Sequence, residues 1–136
     1  MQSIFVDARV KFHRQLPFKK ERRNEAFGVM SEIGNVQDFN LYFSRHEFYN
    51  KKSKSLKKAW IFKDGRWEIV KSKRIKLCYY HGLTKNMTIE SRKIQERINV
   101  PILNHLELEQ VCDDKVLTYN IFPDLVPKTF LVNDFY

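Results

Sequence analysis

Short apolar runs, each stopped by a polar or acidic residue and separated by stretches of helical periodicity, constrain this chain more than any other feature. The first run, Ser3-Ile4-Phe5-Val6-Asp7, ends at a carboxylate and passes into a polar stretch, which is how a buried parallel strand and its following loop read. Beyond Leu16-Pro17-Phe18, the apolar residues Ala26, Phe27, Met30 and Ile33 fall on one helical face, predicting a helix over 21–33. Gly34 is the residue expected to take the left-handed conformation at its end. An aromatic run at 38–44 suits a second strand.

Asp64-Gly65 lies between Ala59-Trp60-Ile61-Phe62 and Trp67-Glu68-Ile69-Val70, the pattern of a tight hairpin whose aromatic residues pin cross-strand pairs. Residues 75–80 form a third core strand, ending at His81-Gly82 and a loop. Thr88 opens a helix to about Ile98, with Ser91, Ile94 and Ile98 on one face, and a short strand follows at 100–103. Asn104 and Glu107 form a variant capping box for a helix over 105–112, and Asp114 caps another over 114–122 that carries Leu117 and Ile121. Residues 129–132 begin a further strand. Strands alternating with helices give an α/β fold: a mainly parallel sheet with helices on both faces and one inserted β-hairpin.

The chain has 136 residues, 43% of them apolar, enough for one sizeable core. No stretch approaches the roughly 18 uninterrupted apolar residues of a membrane span, and residues 1–7 lack a signal-peptide pattern, so a soluble, cytoplasmic protein without membrane contact is expected. Cys78 and Cys112 sit in apolar segments away from any metal-ligand spacing, which reads as buried reduced thiols. No metal site is expected: the histidines His13, His46, His81 and His105 have no partner at a ligand spacing. Nor is there a glycine-rich phosphate loop, because the four glycines are dispersed.

The net charge of +9 gathers in patches at 11–23, 51–58 and 71–76. Such charge attracts nucleic acid, anionic lipid or phosphorylated small molecules without choosing among them.

Residues 104–132 read NHLELEQVCDDKVLTYNIFPDLVPKTFLV. With Asn104, Asp114-Lys115, Thr118 and Asp124-Leu125-Val126-Pro127-Lys128-Thr129 at matching spacing, the segment resembles the entry into the nucleotide-binding region of ATP-grasp ligases of the bacterial glutathione-synthetase type. The upstream agreement is one of pattern, and the specific part covers about a quarter of the chain. The resemblance implies a Rossmann-like pre-ATP-grasp domain over 1–112 and the start of a truncated ATP-grasp region over 113–136. It implies Lys115 as a contact to the phosphates of ATP, a lysine being a point-charge partner for phosphate. Asp113 and Asp114 are read as helix caps. By analogy with ligand sites at the carboxyl edge of open α/β sheets, Arg9, Lys19, Lys20 and His81 are candidates for an acidic or peptide-like substrate.

The family uses ATP and magnesium to activate a carboxylate as an acyl phosphate for attack by an amine. Its glycine-rich loop, second lysine, transition-state arginine and magnesium ligands all lie downstream of the position matching Val132. The chain alone is therefore expected to bind ATP weakly and to carry no catalytic residues. Its partners would be the remainder of the ATP-grasp domain and a small amino-acid or peptide substrate. The competing reading is a free-standing basic α/β module binding nucleic acid, which requires the three basic patches to converge.

Overall fold

The computed structural model describes residues 1–80, 88–103 and 115–128, and the side chains of 88–91 are outside that description. The chain divides into two compact units, Met1–Leu103 and Asn104–Tyr136. The first holds β1 (Gln2–Asp7), α1 (Glu21–Val36), β2 (Phe39–Ser44), a single 3-10 turn (His46–Phe48), β3 (Tyr49–Asn50), β4 (Ser55–Lys63), β5 (Arg66–Arg74), β6 (Leu77–Tyr80), α2 (Thr88–Arg97) and β7 (Ile102–Leu103). The second contains α3 (Lys115–Ile121). The expected helix over 105–112 and strand over 129–132 lie outside the described residues.

The seven strands form one mixed sheet. The β1 strand is parallel to β2 on one side, with Ile4 opposite Leu41, and parallel to β6 on the other, with Ile4 opposite Leu77. The β7 strand extends the parallel part by pairing Cys78 with Ile102. Beyond β2 the sheet turns antiparallel: Phe43 faces Trp60 of β4, which also pairs β3 and, along its whole length, β5.

Sequence alternation explains two separate cores. On β1, Ile4 and Val6 join Phe18, Leu41, Phe43 and Trp60, against which Phe27 and Met30 of α1 pack. The intervening Phe5 joins Tyr42, Tyr49, Leu56, Ile75, Cys78 and Ile98, against which Ile94 of α2 packs. Successive side chains of a strand point to opposite faces, so a run that is apolar throughout feeds both cores. The β4–β5 turn is made by Asp64 (φ 51°) and Gly65 (φ 78°), both left-handed as a two-residue hairpin of this twist requires. Phe62 lies opposite Trp67, with ring centroids 5.2 Å apart.

Helix α1 differs from its expected form in two respects. It runs through Gly34 to Val36, and the left-handed residue is Asp38 (φ 64°), not the glycine. Its buried side is Asn24, Gly28 and Ser31, with Phe27 and Met30 partly covered, while Ala26 is exposed and Ile33 is 60% exposed. The reason is close approach. A Cβ on Gly28 would stand 3.3 Å from Phe62 Cε2 and Cζ, so the bare backbone lets that ring lie against the helix. Ser31 Oγ donates to the Phe27 carbonyl at 2.8 Å and needs no outside partner to be buried.

Cys78 is fully buried and unbridged, and Cys112 lies outside the described residues. Burial, reinforced by the charge of Asp7, pushes the Cys78 thiol well above its ordinary pKa. In a Cys112→Ser background, Cys78 should therefore fail to react with a disulfide reagent at pH 8 and react promptly in denaturant. Rapid labelling of the native protein would contradict this burial.

Candidate functional site

The parallel strands β2, β1 and β6 end side by side, with Asp7 opposite both Ser44 and Tyr80. The chain leaves β1 to form β2 on one side and later returns to form β6 on the other. The strand order reverses at β1, and open α/β sheets bind ligands outside the carboxyl ends of strands at such a point.

At that point Asp7 is 7% exposed, and it is not left alone. Its Oδ1 accepts the backbone N–H of His46 at 3.1 Å, and its Oδ2 lies 3.6 Å from His46 Nδ1. The parallel register that sets Asp7 beside Ser44 leaves His46 two residues past the end of β2, where the 3-10 turn starts. Glu47 Oε2 stands 3.8 Å from the same Nδ1, and Glu47 Oε1 accepts from Arg45 Nη2 at 2.8 Å.

The hydrogen bond to Asp7 is the largest influence on His46 and raises its pKa; burial opposes it, the charges of Asp7 and Glu47 add to it, and Arg97 subtracts. A raised folded-state pKa stabilises the fold fully below the unfolded value of about 6.5, and that contribution is lost as pH rises through the folded value. The His46 ring protons should accordingly titrate by NMR with a midpoint above 6.5. Asp7→Asn, which keeps an oxygen acceptor for the His46 N–H but removes the charge, should lower that midpoint. An unchanged midpoint would show that the carboxylate does not govern the imidazole.

Of the residues expected from sequence, Arg9 is exposed on the β1–α1 connection, two positions beyond Asp7. Lys19 and Lys20 are exposed at the end of the same connection, where Lys20 immediately precedes α1. Asn24 clamps this entrance: its Oδ1 accepts the Phe18 N–H at 3.0 Å and its Nδ2 donates to the Phe18 carbonyl at 2.8 Å. His81 lies outside the described residues. Lys115 is exposed at the first position of α3, in the second unit. Asp7 and His46 escaped the sequence reading, although an acid closing one apolar run and a histidine just beyond the next are the trace they leave.

The basic patches are drawn together by β4. Lys58 Nζ stands 4.8 Å from the Phe12 ring centroid, Phe12 stacks on Trp60 with centroids 6.3 Å apart, and Trp60 Nε1 donates to the Lys11 carbonyl at 3.0 Å. Across the hairpin Lys58 faces Lys71, and Ser55 faces Arg74. Like charges directly opposite one another are destabilising, and among the described residues no carboxylate stands within ion-pair distance of Lys58 or Lys71.

No group of three or more His, Cys, Asp or Glu side chains among the described residues is placed to hold a metal ion. No described helix is long and apolar enough to cross a membrane. No protein-family model, curated protein or solved structure matches this chain.

Proposed function

We propose that the chain is the amino-terminal, substrate-side part of an ATP-dependent carboxylate–amine ligase of the glutathione-synthetase type. The observation that carries this reading is the reversal of strand order at β1, with Asp7 and His46 at the carboxyl ends of the parallel strands. In this reading the first unit belongs to a Rossmann-like pre-ATP-grasp domain with helices on both faces. The pre-ATP-grasp part runs to residue 112 and the nucleotide-binding region begins at 113.

His46, biased toward its protonated form and steadied by Asp7, is then a suitable contact for the carboxylate of an amino-acid or peptide substrate, with Arg9, Lys19 and Lys20 on the adjoining connection as further cationic contacts. Lys115 would reach the phosphates of ATP. The other phosphate contacts and the magnesium ligands would come from further ATP-grasp sequence, so no catalytic step is assigned to the residues present. The test is phosphate release from ATP by the longer protein that this reading requires. Release should depend on both an amino-acid or peptide carboxylate and an amine acceptor, and release indifferent to both would count against it.

The nucleic-acid reading has one observation in its favour, the meeting of Phe12, Lys58 and Lys71. Tight oligonucleotide binding that weakens steeply with salt and is lost in Lys58→Ala/Lys71→Ala would support it over the ligase.

A further inference from the structure

At the amino-terminal ends of β6 and β7, away from Asp7 and His46, lies an open cavity of about 460 Å³ lined by Lys54, Arg74, Ile75, Lys76, Asn99, Val100 and Pro101. Three of these seven residues are cations and none is an acid. The volume falls in the range of small-ligand sites, about 300–1,000 Å³. Ile75 and Val100 are 2% and 9% exposed and supply an apolar floor.

The backbone that carries these cations is set by the fold. Lys54 is held left-handed (φ 51°), and its carbonyl accepts the Ile75 N–H at 2.8 Å. The turn before it is shaped by Asn50 Oδ1, which accepts the N–H groups of Lys52 and Ser53. A left-handed non-glycine residue is a strained choice that glycine or asparagine would relieve, yet this position carries a lysine. Arg74 is fixed by pairing with Ser55, and the Lys76 N–H donates to the Ser3 carbonyl at 3.0 Å. Asn99 ties the far wall in place, accepting from Tyr49 Oη at 2.7 Å and donating to the Lys51 carbonyl at 3.1 Å. Two basic stretches far apart in sequence thus converge on one concave surface. Among the described residues no carboxylate pairs with these three cations.

We propose that this cavity is a binding site for a small polyanion carrying two adjacent phosphate groups. The site is independent of the ligase reading, since it lies at the opposite strand ends from the proposed substrate edge and shares no residue with it. Two linked phosphates bring more charge, more acceptor oxygens and a longer span to three cations than a single phosphate does.

The test is titration of the full chain with inorganic pyrophosphate, orthophosphate and a short oligothymidylate, followed by calorimetry and by amide NMR shifts. Pyrophosphate should bind more tightly than orthophosphate and move the amides of Lys54, Arg74, Lys76, Asn99 and Val100. Arg74→Ala/Lys76→Ala should weaken it about tenfold or more while the circular dichroism spectrum stays unchanged. Unaltered affinity in the double variant, absence of pyrophosphate binding, or shifts confined to His46 and Lys19–Lys20 would each overturn the proposal. So would an oligothymidylate that displaces pyrophosphate and carries the shifts onward to Phe12 and Lys58, because the surface would then be a nucleic-acid track.

Discussion

Phe43→Ala should destabilise the first unit by about 3–5 kcal/mol, the range for deleting a fully buried aromatic side chain. Phe43 is 0% exposed and stands where β2 meets both β1 and β4, opposite Val6 and Trp60. Its ring lies 5.2 Å from Phe27, 5.3 Å from Trp67 and 6.2 Å from Phe18, so one deletion opens the contact between α1, the hairpin and the β1–α1 connection. Domains of this size hold only about 5–15 kcal/mol in total. The variant should therefore melt at least about 12 °C lower, taking about 4 °C per kcal/mol for a unit of this length. Val36→Ala, at a position 82% exposed, is the control and should stay within about 0.5 kcal/mol of the parent. Urea unfolding followed by tryptophan fluorescence reads both, and a loss under about 1 kcal/mol at Phe43 would mean that this aromatic cluster is not the core.

The core strands β1, β2 and β6 were legible because a run such as Ile4-Phe5-Val6 is apolar at every position and so declares burial on two faces, whereas the two-residue β3 left no such run. The hairpin was legible only in part. Alternation locates residues 59–70, but the paired strands reach from Ser55 to Arg74. Leu56 and Ala59, three apart, join the same core, so the period of two breaks between them, next to Ser72 with its left-handed φ of 54°. The inner face of α1 was illegible for a different reason: it is made of Asn24, Gly28 and Ser31, whose burial depends on Phe18 and Phe62 and not on their own hydropathy. The pairing of Asp7 with His46 spans 39 residues and is set by parallel register, which one-dimensional spacing does not carry. The same holds for the basic patches, which meet only because β4 pairs along its length with β5 and receives the β1–α1 connection at Trp60.

Lys115→Ala, made in the longer protein that the ligase reading requires, should weaken ATP binding about tenfold to hundredfold, since one charge-assisted contact of about 1.5–3 kcal/mol is removed. Lys115 is exposed at the start of a seven-residue helix, so the substitution deletes charge without opening a core. Thermal unfolding should accordingly be little changed. The 136-residue chain itself should bind ATP only weakly, because tight nucleotide binding draws on several donors and a cation acting together on the phosphates.

Calorimetric titration of magnesium–ATP into the 136-residue chain, the longer protein and its Lys115→Ala variant tests the proposed ligase role. Weak or undetectable binding to the chain, tight binding to the longer protein, and a tenfold to hundredfold loss in the variant are expected, in line with about 1.5–3 kcal/mol. Micromolar binding by the chain alone, or a variant that binds as well as its parent, would contradict it.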